Sequence, residues 1–539
     1  MSDARIDPAV PRTVLIGLDG ATWDMLDALM ADGVMPHLAG LVARGARAVL
    51  RSTLHPLTPP AWATLMTGRS PGNHGVFDFI RVERGGARPS YTLATSEDLR
   101  APTIWQIASA AGLRATTLNF PVMFPARPIE GVVIPGYVPW SYLGRAIHPR
   151  PVFRMLKERG VFKAAEMSTD WQHERKAVQG LAENQLDDWV QFHITRERRW
   201  QATLLTLMEE EPSALTAVLF DGVDRIQHLC WHLIDPASRA DHTGPEAERT
   251  RALVLQYFRE LDGFVAEIVD RAGPQAQVFV VSDHGFCRAG PRIFYANSWL
   301  AEQGWLAWKP DTPMDDQGRV ALDENTEAST LIDWEGTKAY SLSSSSNAIY
   351  IRQAEAPGAP GVPPGEYDSF RAGLIARLKA LVDPATGQPV IKSVWTREEA
   401  FAGACCDRAP DLTLQLHDYS FLSVLRADAA LKGRRVPYAT HHPDGIFLAC
   451  GPGIAAGARP GPFAIADVAA TALHSLGLPV PAEMEGEVAE AAFAPDHLAA
   501  HPVRRSDGSG VAAAGADDAA LSGDAEAQIR ERLKSLGYL

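Results

Sequence analysis

The chain has 539 residues, 46% hydrophobic and 22% charged, which exceeds the usual single-domain length and is enough for one large core with insertions or for several domains. A formal net charge of -14 opposes non-specific attachment to nucleic acid or an anionic membrane, so any anionic substrate must meet local positive charge. No apolar run approaches the roughly 18 residues of a membrane span, the N-terminus carries no signal-peptide pattern, and five cysteines without a CxxC pair predict a reducing, cytoplasmic setting.

In chain order, six runs read as buried strands: TVLIGLDG (13–20), ARAVLRST (46–53), LRATTLNFP (113–121), ALTAVLFDG (214–222), AQVFVVSDHG (276–285) and GIFLACGPG (445–453). They are apolar almost throughout and separated by helical stretches, the pattern of a mostly parallel sheet covered on both faces. Core segments are therefore expected at 1–142, 206–305 and 401–495. Between them lie a charged, aromatic helical insertion at 143–205 and a Pro/Gly-punctuated, cap-like insertion at 306–400. Residues 496–523, rich in Ala, Gly, Ser and Asp, read as a flexible linker. At 524–539, Ile529, Leu533 and Leu536 share a helical face and predict a tail helix.

Two prolines follow Thr58 in STLHPLTPPAWATLMTG (52–68), just before an apolar helical run. Thr58 is either a helix N-cap or a nucleophile placed at a helix mouth, where the dipole favours anions. Chemistry-bearing residues gather at the strand ends: Asp19 after the first, Asp221 and Asp224 after the fourth, Asp283 and His284 after the fifth, and His441 and His442 just before the last. In open parallel sheets ligands bind beyond the carboxyl ends of the strands, so these groups are candidates for one crevice. Asp224 and His228, at i and i+4, share a helical face and can clamp a metal, although a solvated face has the same spacing. A mixed Asp/His set suits zinc or manganese better than calcium or magnesium.

The segments LIGLDGATWDML, LTPPAWATLMTGRSPGNHGVFDF, DGVDRIQHLCWHLIDP, VVSDHGF and THHPDGIFLACGPGI resemble, in order over roughly residues 13–487, the metal-binding motifs of the type I phosphodiesterase/nucleotide pyrophosphatase branch of the alkaline phosphatase superfamily. The resemblance implies an alkaline-phosphatase-like three-layer α/β/α sandwich, two divalent metal ions (zinc, with manganese the alternative) and a covalent phospho-threonine. It assigns Asp224, His228 and His441 to one metal, and Asp19, Asp283, His284 and the nucleophile Thr58 to the other. Three carboxylates and a Thr58 alkoxide would balance two divalent cations, and a neutral site suits a diester monoanion better than a monoester dianion. Where nucleotide pyrophosphatases carry a phosphate-holding Asn after the nucleophile, the chain has Ala61. Asn119, equally readable as a turn residue, and Arg69 are the candidate substrate contacts, with Arg225 and Arg288 the other cations near the motifs.

The expected activity is hydrolysis of a small-molecule or headgroup phosphodiester. Its alternatives are phosphomonoesterase, sulfatase, phosphotransferase or a silent binding protein of the same fold. Trp140, Trp171 and Trp189 either line a headgroup pocket or pack. No nucleic-acid partner and no integral membrane segment are expected, and a homo-oligomer is compatible with the sequence.

Overall fold

The computed structural model describes residues 12–86, 88–138, 140–168, 183–312, 314–316, 318–320 and 328–511. The tail helix read at 524–539, the end of the linker segment and Trp171 lie outside the described residues.

The centre is an eight-stranded sheet. Its strands are β1 (Arg12–Leu18), β2 (Ala46–Arg51), β3 (Ala115–Leu118), β4 (Gly131–Ile134), β5 (Leu215–Phe220), β6 (Ala276–Val281), β7 (Asp444–Cys450) and β8 (Phe463–Ala464). The spatial order is β8-β2-β7-β6-β1-β5-β3-β4. Every adjacent pair is parallel except those of β7, which runs against β2 and β6. Because β7 is reversed, its start lies at the same edge as the ends of β1, β2, β5 and β6. That edge collects Asp19, Asp283, His284, the segment after β2 and the segment before β7.

Alternation along β1 shows why helices cover both faces. Val14, Ile16 and Leu18 point into one apolar cluster, shared with helices Glu183–Glu210, Gly222–Ile234 and Pro245–Ala272, whereas Leu15 points into the other, shared with helices Thr58–Thr67 and Asp467–Ser475. The result is a three-layer α/β/α sandwich with a mostly parallel central sheet. Gly17, on the second face, lets the helix Thr58–Thr67 settle onto the sheet: a Cβ there would lie 2.6 Å from Cη2 of the fully buried Trp62. Gly17→Ala is expected to lower stability by about 1–3 kcal/mol, since a packed indole has nowhere to retreat, and a urea denaturation midpoint reads it.

The insertions depart from their expected boundaries. The 28-residue helix Glu183–Glu210 starts in the first insertion, ends in the following core segment and buries Trp189, Ile194, Trp200 and Leu204 in the core cluster. It is a structural layer of the sandwich. A separate antiparallel sheet orders Ala339–Tyr340, Ala348–Ile351, Leu412–Leu416 and Ile391–Thr396, with its own apolar cluster. Leu412–Leu416, assigned above to the core, therefore belongs to the cap unit, because its hydrogen bonds go to the cap strands. The first part of the expected linker is also structured: Pro495–Ala500 is a helix and Arg505–Ser506 pairs with Val480–Pro481. Among the described residues, no single helix is long and apolar enough to cross a membrane.

Candidate metal centre

Thr58 is not a cap. The N-cap position is held by Leu57 in extended conformation, and no side-chain capping bond forms. Pro59 and Pro60 occupy the first turn, where a missing N–H is tolerated. Since prolines carry no N–H and the Ala61 N–H bonds Leu57 O, this helix mouth offers few backbone donors to an anion. The Thr58 hydroxyl instead lies 3.4 Å from His284 Nε2, and the residue is buried.

Around that hydroxyl the strand ends converge. His284 Nε2 is 3.1 Å from Asp283 Oδ2 and 3.7 Å from Asp19 Oδ1. A second group adjoins it: Asp224 Oδ1 is 3.0 Å from His441 Nε2 and 3.5 Å from His228 Nε2, and the two Nε2 atoms are 3.2 Å apart. The His284 and His441 rings stack with centroids 3.6 Å apart, so the two groups touch. Asp19, Asp283 and His284 form one set able to hold a metal ion, and Asp224, His284 and His441 another. His441 reaches the centre because Ala439–His442 pairs antiparallel with Gly285–Arg288, the strand that follows His284.

The hydrogen-bond pattern shows which atoms face inward. Nδ1 of His228 meets the Ala439 carbonyl at 2.8 Å, that of His441 the Pro56 carbonyl at 3.0 Å and that of His284 the Gly285 carbonyl at 3.1 Å. A carbonyl only accepts, so each Nδ1 carries a proton and each ring turns its Nε2 to the centre, the orientation of metal-ligating histidines. The carboxylates are arranged alike. Asp283 Oδ1 accepts the Gly20 N–H at 3.0 Å, and Asp19 Oδ2 accepts Tyr137 O–H at 2.9 Å and Trp62 Nε1–H at 3.4 Å. The opposite oxygens, Asp19 Oδ1, Asp224 Oδ1 and Asp283 Oδ2, are buried without a hydrogen-bond partner. Three bare carboxylate oxygens and facing imidazole lone pairs are costly to bury unless cations lie among them, so this donor set fits divalent metal.

Proton affinities agree. Burial, then the neighbouring Asp283 and Asp224, holds the Asp19 carboxyl well above its usual range, and burial does the same to Asp283. Burial and then His441 push His284 well below the ordinary imidazole value, and burial lowers His228 to about 4. Burial works against ionisation of Asp224 too, while the Arg225 guanidinium beside it favours the charged form.

The structure places the two expected substrate contacts outside this cluster. Asn119, buried with φ 67°, donates Nδ2–H to Leu219 O at 2.9 Å and to Asp221 Oδ1 at 3.1 Å, while Arg196 Nη2 donates to its Oδ1 at 3.4 Å. It is a satisfied core amide bonded to Asp221, which also pairs with Arg196. Arg69 follows the C-terminal end of the helix that Thr58 begins, so about 15 Å of helix separates them. Arg288 is exposed, and His442 lies outside the cluster, its Nδ1 accepting the Asp444 N–H. Arg225 is the cation that does face the site, with Nη1 3.8 Å from Asp224 Oδ2. Trp189 is packed in the core with Nε1–H donated to Arg225 O, and Trp140 is exposed. The residues missed by sequence reasoning are Trp62 and Tyr137. Trp62 was readable as the i+4 neighbour of Thr58, and Tyr137 would have followed from reading GVVI as a strand.

A profile of the type I phosphodiesterase / nucleotide pyrophosphatase family matches residues 13–442. No curated protein matches the chain. Among solved structures, phosphonoacetate hydrolase from Sinorhizobium meliloti 1021 in complex with phosphonoformate is similar at 19% identity, with 86% of this chain and 96% of that chain covered and a TM-score of 0.49. Human ectonucleotide pyrophosphatase/phosphodiesterase 5 is similar at 14% identity, with 89% and 98% covered and a TM-score of 0.49. The inactive murine counterpart in complex with AMP is similar at 14% identity, with 87% and 95% covered and a TM-score of 0.48.

Proposed function

The chain belongs to the type I phosphodiesterase/nucleotide pyrophosphatase family of phosphoester hydrolases, and from that premise we propose that it cleaves a phosphodiester through a covalent phospho-threonine on Thr58. Asp224, His228 and His441 would hold one divalent cation, and Asp19, Asp283, His284 and Thr58 a second, zinc being the best match to these donors. When bound, the two cations would supply positive charge to the attacking and leaving oxygens of an in-line displacement.

The chain's own contribution begins with Thr58. Its Oγ forms the bond to phosphorus as the bond to the leaving oxygen breaks, and the proton lost from the hydroxyl balances the one the departing alcohol takes up. Water then attacks the phospho-threonine, releasing a phosphomonoester and restoring the hydroxyl. His284 Nε2, 3.4 Å from the hydroxyl, fixes the position of Thr58, and the stacked His284 and His441 rings keep the two groups adjacent. The observation that carries this reading is the set of bare inward oxygens and Nε2 atoms gathered beside one buried hydroxyl.

A small-molecule or headgroup diester is the proposed substrate class, and a cytoplasmic location is part of the same reading. A phosphomonoesterase reading rests on Arg225, whose charge beside Asp224 would suit a dianion. Hydrolysis of a bis-aryl and a mono-aryl phosphate by zinc-loaded protein separates the two. We expect a higher kcat/KM for the bis-aryl ester, by at least about tenfold, which corresponds to about 1.4 kcal/mol. Preference for the mono-aryl ester would reverse the assignment.

A further inference from the structure

Each carboxylate of the centre has one oxygen facing inward and one held from behind, but the three holders differ in kind. For Asp283 the holder is a backbone N–H, which no substitution removes without moving the chain. For Asp224 it is the Arg225 guanidinium at 3.8 Å. For Asp19 it is a phenol: Tyr137 O–H donates to Oδ2 at 2.9 Å, and the Trp62 indole N–H lies farther, at 3.4 Å. The opposite oxygen, Oδ1, is the bare one that faces His284.

Tyr137 lies just after β4, at the sheet edge where the centre is built. Its backbone has φ 58°, a left-handed conformation that a residue with a bulky side chain rarely adopts. A chain continuing in extended conformation would carry the phenol elsewhere, so the turn aims it at Asp19. Its ring is covered by the Arg225 guanidinium at 5.9 Å and tilted against Phe79 at 6.2 Å. Tyr137 and Arg225 thus form one wall behind the centre, with the phenol on Asp19 of the first group and the guanidinium on Asp224 of the second.

We propose that Tyr137 is a positioning residue that orients Asp19 and thereby sets the cation affinity of the Asp19–Asp283–His284 group selectively, leaving the Asp224–His228–His441 group to Arg225. The inference rests on the two-cation reading above. The shorter of the two hydrogen bonds from behind, that of Tyr137, keeps the carboxylate from rotating, so the ligand lone pair points at the cation before it arrives, and loss of such a partner typically weakens binding about 10- to 100-fold.

The test is zinc titration of the metal-stripped full chain against a chromophoric chelator, for wild type, Tyr137→Phe and Arg225→Gln. Phenylalanine keeps the ring packing and removes only the hydroxyl. Two zinc-binding steps are expected in wild type. Tyr137→Phe should weaken one of them about 10- to 100-fold and leave the other within about twofold. Arg225→Gln should spare the step that Tyr137→Phe weakens. Matching far-UV circular dichroism and melting curves of the metal-stripped variants show that the fold is retained. If Tyr137→Phe leaves both steps unchanged, or weakens both equally, the positioning role is overturned while the two-cation reading survives. If wild type binds no zinc, both are overturned.

Discussion

Thr58→Ala is expected to reduce turnover of a bis-aryl phosphate by at least ~10³, about 4 kcal/mol of barrier, because it removes the side chain that in this reading forms the covalent bond to phosphorus. The substitution is mild in other respects. Thr58 supplies no capping bond, the helix start is fixed by Leu57 and the two prolines, and the lost methyl and hydroxyl leave a small gap in a packed layer. A melting temperature close to wild type is therefore expected, with zinc content near wild type because Asp19, Asp283 and His284 remain. Stopped reactions of wild type with a slow bis-aryl phosphate should show one aryl-phosphoryl group, the half of the diester that has not yet left, on Thr58 by peptide mass spectrometry, and none in the variant. Full activity in Thr58→Ala would remove the nucleophile from the account.

His284→Ala is the second large effect, and it acts on both groups at once. Its Nε2 lies within 3.1 Å of Asp283 and 3.4 Å of the Thr58 hydroxyl, and its ring stacks on His441. Its removal takes a donor from the first group, leaves Asp19 and Asp283 facing each other without it, and frees His441 to tilt. Zinc content should fall from about two to about one or less per chain, and turnover by ~10³ or more, since a cation stabilising the transferring group is lost with its ligand. Elemental analysis and steady-state kinetics on the same preparation read both quantities. A variant that retains two zinc ions and wild-type turnover would mean that His284 is a packing residue.

What the sequence made legible follows from the range over which each contact acts. The strands β1, β3, β5, β6 and β7 are apolar runs whose burial on both faces leaves an unambiguous mark, whereas β2 alternates buried with partly exposed positions. Asp19, Asp283 and His284 could be placed at strand ends because they follow those runs directly. Asp224 and His228 were readable because helical spacing is local, and the helix Gly222–Ile234 does carry both on one face. The short strands β4 and β8 left too little pattern, and with β4 went the position of Tyr137. Asn119 misled because its environment is set by Arg196, 77 residues away on a helix whose docking depends on tertiary packing. The boundary at residue 400 failed for a similar reason: Leu412–Leu416 looks like any buried strand, and only its pairing partners decide which sheet receives it. Of the proposed ligands, His441 is the case where local pattern fell short, since it reaches the centre through a ribbon with Gly285–Arg288 whose register no local pattern prescribes.

Diffraction from crystals of the zinc-loaded protein, recorded on both sides of the zinc absorption edge, addresses the convergence most directly. Two anomalous peaks per chain are predicted, one bounded by Asp19, Asp283, His284 and Thr58 and the other by Asp224, His228 and His441. Peaks confined to other residues, or none at this edge of the sheet, would contradict the account.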